Sequence, residues 1–493
     1  MKHSRLFTAS LLASLLIAAS ACGDNTTDTS KTTDPVDGDT AAVVTEDPFI
    51  ASLPDDLDFG GMEVCIARCT AFSENEKKNE VAPDAELTKG DIIDDAVRLR
   101  NNYVEDLLNV RITSPDEELG DWTDFPSTIQ PLIMAGDTTY DAYVAATWGL
   151  FKSSLNGLLL PLTDIETIDF GNPWWDSELI EMFSLGSNST YFAAGAINYY
   201  DDYATTALLI NTKLCNENDL ELPYQMVLDG KWTIDRFCEY SKAYAADLNG
   251  DSAYDENDAY GLICNIGIPY KFTCGAGESF ILIDDNGFAT LNQSERLFDV
   301  VDKLFTNILD RNNTAICVVE RKLGYEIGNA LFPNGQSLFY VDMVGGIDSM
   351  RMKMEDDFGI IPIPKYDEAQ ENYYSVFDTA YGTAYAIPTT QEDPETIGRV
   401  LEVMGFYSQN TIYPAVIEKN ILVKGIRDEE SGKMLDLIFK NKFYELGQWG
   451  SFVYDEMMGM CKGGVNKFAS KAASITKRTE KEFASIADYY DYD

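Results

Sequence analysis

The densest cluster of chemistry-bearing residues lies at 247–258, where Asp247, Asn249, Asp251, Asp255 and Asp258 put side-chain oxygens at positions 1, 3, 5, 9 and 12 of a twelve-residue loop. Ala253 would add a carbonyl at position 7. Calcium takes six to eight hard oxygen ligands in such an arrangement. Ser252 replaces the turn glycine and Asp258 the bidentate Glu of the ideal loop, so an acidic turn closed by its own Asx hydrogen bonds is the competing reading. Any calcium here is structural, and the chemistry of the chain requires no cofactor. Aromatic residues cluster beside polar ones at Trp174-Trp175, at Tyr199-Tyr200, at Phe377 with Tyr381, and at Trp449. Such rings stack on apolar faces of sugars while Asp and Asn accept hydroxyl protons; each ring alone also suits a core.

Other chemistries are excluded or weak. The only histidine is His3, inside a segment read below as a removed leader. A mature chain without histidine has no Ser-His-Asp triad, Cys-His pair or His-based zinc site. Ser474 and Lys477 match S-x-x-K, but no S-D-N or K-T-G accompanies them. There is no G-x-x-x-x-G-K-[ST] and no G-x-S-x-G. With 82 acidic residues, no carboxylate pair stands out as a glycosidase pair. The chain is read as a non-enzyme. Its formal charge of −45 repels nucleic acid.

The elements that position these residues follow a leader. Lys2, His3 and Arg5 precede an apolar run from Leu6 to Ala19, and Ala19-Ser20-Ala21 leads into Cys22. The run is short for a bilayer span of about 20 residues, and its flanks are those of a lipoprotein signal peptide over 1–21. Cys22 then carries the lipid and places the body on the extracellular face of the cell membrane, anchored by lipid alone; secretion without lipid is the alternative. Residues 22–52 read as a flexible tether, whose Asp/Thr-rich stretch from 23 to about 48 reaches roughly 25–30 Å as a coil.

From Met62 the pattern is strand, helix, strand, helix, strand: Met62 to Ala67, a helix capped by Asp91 with Ile93, Val97, Val104 and Leu108 on one face, Val110 to Thr113, a short helix ending near Ala135, and Tyr140 to Thr147. This predicts a parallel sheet with crossover helices, its ligands beyond the carboxyl ends of the strands, where Trp148 falls. Residues 190–211 read as extended. A helix over 232–246, strands at 338–341 and 358–363, and a helix capped by Asp393 follow. Eight further cysteines include no C-x-x-C; they read mostly as buried thiols, with Cys65–Cys69 and Cys264–Cys274 as the pairs that could bridge.

Several segments in order resemble the family 1 extracellular solute-binding proteins, the sugar-type receptors of ABC importers, in their clostridial form. They are LPDDLDFGGMEV, GDIIDDAVRLRNNYVEDLLNVRI, ALLINTKLCNENDLELPYQMVLDGKWTIDRF running into DLNGDSAYDENDAYGL, FPNGQSLFYV, DFGIIPIPKYDE and GTAYAIPTT. The resemblance implies an α/β, type II periplasmic-binding-protein-like fold of two lobes joined by crossing hinge strands. Lobe one would be 53–204 plus 335–405, and lobe two 205–334 plus 406–493. It implies a monomer that captures a sugar or oligosaccharide in the interlobe cleft and delivers it to ABC permease subunits. By position it implies Trp148, Tyr199, Tyr200, Asp201, Asp342, Phe377, Asp378 and Trp449 as ligand-binding residues. Maltodextrin-type members carry an aromatic where this chain has Asp342, which argues against a long glucan. A peptide or polyamine ligand, held by Asp201, Asp342 and Asp378, is the second reading. A surface glycan-binding or glycoside-hydrolysing lipoprotein is the third.

Overall fold

The computed structural model describes residues 47–490 apart from 55–56, 70–78, 85, 87, 89, 117, 427, 450–451 and 485. The leader, Cys22 and most of the tether lie outside the described residues. At the tether's end, Pro48–Ser52 is a short helix, capped by the Asp47 carboxylate on the Phe49 amide at 2.9 Å with Pro in the first turn. The described residues from 57 onward belong to a separate compact unit.

Within that unit a four-stranded sheet runs in the order Thr383–Ala386, Ala142–Ala146, Met62–Arg68, Val110–Thr113. The last three are parallel, and Thr383–Ala386 is antiparallel to Ala142–Ala146. The helix Ile92–Leu108 makes the first crossover. Asp91 caps it, accepting from the Ile93 and Asp94 amides, and Ile93, Val97, Val104 and Leu108 are buried along the expected face. On its outer side it packs against the helix Pro394–Ser408, with Tyr103 stacked on Tyr407 at 5.1 Å.

A five-stranded sheet runs Phe358–Ile361, Thr206–Asn211, Ser337–Met343, Tyr260–Cys264, Ile316–Val318. Every residue of Thr206–Asn211 is buried, as a strand covered on both faces must be. Thus Ser337–Met343 and Phe358–Ile361, assigned by resemblance to lobe one, pair in the second sheet; only Thr383–Ala386 returns to the first. The apolar runs at 338–341 and 358–361 suit either sheet, and the pairing is decided by the neighbours Thr206–Asn211 and Tyr260–Cys264.

The stretch 190–211 is less extended than its composition suggests. Residues 190–199 form only isolated bridges, Ala193 with Tyr385 and Gly195 with Trp175, and Tyr200–Tyr203 is a helical turn. Trp148 lies in the first turn of the helix Thr147–Ser154. The eight cysteines among the described residues are all free thiols, seven of them buried, so neither anticipated pair is bridged. No described helix is long and apolar enough to cross a membrane.

Candidate functional site

The carboxyl ends of both sheets meet one cavity. Asp91 caps the helix that follows the first strand, and Tyr381 precedes the strand whose Thr383 pairs with Ala146. Met343 ends its strand opposite Thr206, and Tyr200 and Tyr203 sit on the turn that feeds Thr206–Asn211. These residues, with Asp348, Arg351, Asn420 and Lys424, line a cavity of about 420 Å³, within the range of about 300–1,000 Å³ usual for small-molecule sites.

Its polar centre is a triangle. The Asn420 side-chain amide donates at 2.6 Å to both the Tyr203 hydroxyl and Asp348 Oδ2, and the Tyr203 hydroxyl lies 3.3 Å from the same oxygen. Burial, then the Asp348 charge, pushes the Tyr203 hydroxyl well above its ordinary pKa, so it stays a neutral donor. Tyr200 and Tyr203 meet edge to face at 6.3 Å and 88°, with Tyr199 behind Tyr200 at 4.5 Å. Arg351 is fixed by the Gly425 carbonyl at 2.8 Å and lies over the Phe358 ring. Three tyrosines, carboxylate acceptors and the Arg351 and Lys424 cations can hold a polyol by its ring faces and its hydroxyls.

Of the residues singled out by sequence, Tyr200 and Tyr381 line this cavity. Trp148 and Asp378 lie at the same end of the first sheet: the Trp148 amide bonds Thr379 O at 3.0 Å, and the Asp378 amide bonds Ala204 O at 2.9 Å. The Trp148 ring is half-buried, edge-on to Trp122 at 5.3 Å. Asp342 is half-buried, its carboxylate on the Met343 amide at 2.8 Å. Phe377 is fully buried, 5.1 Å from Tyr444. Trp449 stands in the core, 4.5 Å from Phe183 and 5.7 Å from Phe151. Rings so enclosed have no face left for a ligand in this conformation. Tyr199 and Asp201 line a second cavity, described below.

Tyr203, Asp348 and Asn420 carry no signal in the sequence reading. Treating 199–203 as extended sends alternate residues to opposite faces, whereas a helical turn gathers Tyr199, Tyr200 and Tyr203. That i, i+3 spacing was the available signal. Asn420 lies in a π-helical stretch, Ala415–Ile426, whose period no ordinary template matches.

In the 247–258 loop the carboxylates fold onto backbone amides. Asp247 accepts from Gly250 and Ser252, Asp251 from Ala253, and Asp255 from Asn257. Buried Asp258 spends Oδ1 on the Leu248 amide and Oδ2 on that of Asp255. Among the described residues no group of three or more Asp, Glu, Cys or His is placed to hold a metal ion.

No protein-family model matches the sequence, and no curated protein does. Solved structures do match in fold. A sugar transporter from Rhizobium etli in an open conformation aligns with TM-score 0.57 and 12% identity over 87% of this chain and 99% of its own. An ABC substrate-binding protein from Listeria monocytogenes in complex with cycloalternan aligns with TM-score 0.54 and 12% identity over 87% and 99%. UspC from M. tuberculosis aligns with TM-score 0.54 and 11% identity over 85% and 100%. The fold is the two-lobed, type II periplasmic-binding-protein-like fold.

Proposed function

We propose that this chain is the substrate-binding component of an ABC importer, tethered through Cys22, and that it captures a neutral sugar or short oligosaccharide between its lobes for delivery to a permease. The observation that carries the reading is the make-up of the cavity. Asp91 and Asp348 are balanced by Arg351 and Lys424, around Tyr200, Tyr203 and Tyr381. Balanced charge favours a neutral polyol over a polyamine, which would need surplus carboxylates beside the rings. The sugar-related proteins among the fold neighbours support the same class of solute. A cavity of about 420 Å³ suits a short or compact ligand rather than a long glucan.

A thermal-shift screen of linear and cyclic oligosaccharides, peptides and polyamines tests this, because a ligand of the native state raises Tm. A saccharide is expected to raise it. In the Asp348→Ala chain, affinity for that saccharide is expected to fall at least about tenfold, the loss of one or two hydrogen bonds to a charged group. A response to polyamines alone would sink the reading. The same assay with calcium tests a structural ion at 247–258, which would have to draw Asp258 away from its two amides and would raise Tm on binding.

A further inference from the structure

Three stretches of chain pass between the lobes. Residues 200–205 run from the first sheet to the second, and 375–382 run back. Residues 441–449 leave the helix Glu429–Lys440, whose Ser431 bonds the Ile360 amide of the second sheet, and bring Trp449 against Phe151 and Phe183 of the first lobe. The second and third stretches pair with each other, Ser375–Val376 alongside Lys442–Phe443.

Lys442 sits at their junction with a side chain only 7% exposed. Its Nζ lies 2.9 Å from Asp201 Oδ2, 2.9 Å from Asp202 Oδ1 and 3.3 Å from Asp176 Oδ2. Asp201 and Asp202 belong to the first stretch. Asp176 belongs to the first lobe, where it caps the helix Ser177–Phe183 through the Leu179 amide and accepts the Tyr444 hydroxyl at 2.6 Å. One ammonium therefore touches the first lobe and the first stretch, and stands on the strand that joins the other two. Burial pushes the Asp201 carboxyl up to about 7. At Lys442, burial works against the charge, and Asp201 and Asp202 outweigh it.

The cluster faces away from the cleft. Tyr200 and Tyr203 line the cleft, whereas Tyr199, Asp201 and Asp202 line a separate cavity of about 370 Å³ with Trp174, Asp176 and Tyr413. The first of the three stretches thus has open space beside its carboxylates into which it can move. Buried ion clusters add little net stability, but they penalise any geometry that separates their members.

We propose that the Lys442 cluster is a tie across the hinge that fixes the angle between the lobes from behind the cleft and so governs access to the ligand-holding form. Lys442 is then a positioning residue that touches no ligand. The purpose of such a tie rests on the solute-capture reading above; its test does not, because no ligand enters it. Small-angle X-ray scattering of the ligand-free mature chain is compared for the native protein, Lys442→Arg, Lys442→Met and the double variant Lys442→Met with Asp201→Asn. The Met variants, shown folded by circular dichroism, are expected to have a larger radius of gyration, with Lys442→Arg restoring the native profile. The double variant relieves one unpaired buried carboxylate and decides the question if the single variant does not fold. A folded Met variant whose scattering superimposes on the native curve overturns the proposal, as does an equal rise in Lys442→Arg.

Discussion

At the scale of single residues, the space around a side chain decides its role, and a sequence does not show that space. Trp449 and Phe377 are aromatic, as are Tyr200 and Tyr381, yet the first two are enclosed and the others border a cavity. The enclosure of Phe377 has a testable origin. Gly382 passes so close that a Cβ there would lie 1.8 Å from Phe377 Cζ, while the Gly382 carbonyl accepts the Thr147 amide at 2.8 Å. Neither partner can retreat cheaply. Gly382→Ala is expected to cost about 1–3 kcal/mol in urea unfolding, the usual range for overpacking. Phe377→Leu in the same chain is expected to recover part of it. An unchanged midpoint in Gly382→Ala would show that the ring has room to move.

At the scale of elements, caps and faces were legible because their physics is local. Asp91 and Asp393 bond the first-turn amides of their helices as their positions announce. The buried face of Ile92–Leu108 follows from spacing alone. The turn at 200–203 was not legible, since its tyrosines favour strand in isolation and the helix depends on tertiary contacts. Buried acids far from one another in sequence were equally hidden. Glu80 accepts from the Thr383 hydroxyl at 2.6 Å, tying residue 80 to the returning strand. Glu445 accepts from the Phe280 and Ile281 amides at 3.0 and 3.2 Å, tying the hairpin 281–291 to the 445 turn. Burial pushes both carboxyls up to about 7. Between about 4.5 and about 7 the native chain therefore holds protons that the unfolded chain has released. By linkage, these two groups favour folding most fully below about 4.5, and that contribution is lost as the pH rises through about 7. Urea unfolding at pH 5 and pH 7.5 is expected to show a smaller fall in stability for Glu80→Gln or Glu445→Gln than for the native chain. A fall of equal size in the variants would remove these acids as its source.

At the scale of the whole molecule, the order of elements announces a parallel sheet with crossover helices and the family resemblance implies the two lobes, but neither shows the return point. Strands at 337–343 and 358–361 are apolar in either setting, so only pairing revealed that the chain re-enters the first sheet at Thr383. Charge acts at this scale too. A chain of formal charge −45 repels itself, and salt weakens that repulsion as the Debye length falls from about 30 Å at 0.01 M to about 10 Å at 0.1 M. Melting temperature is expected to rise over that interval in sodium chloride. A fall would mean that exposed ion pairs such as Arg236–Glu239 outweigh the net charge.

The late return of Thr383–Ala386 also sets a clock. The Thr147 hydroxyl finds its acceptor on Thr379, 232 residues further along. At synthesis rates of about 5–20 residues per second, the flank of Ala142–Ala146 stands unpaired for roughly 10–50 s before its partner exists. During that interval the first lobe is an unfinished sheet with an adhesive edge. The nascent chain therefore has a built-in delay before its amino-terminal half can become rigid, and an interval in which a holding factor has most to protect.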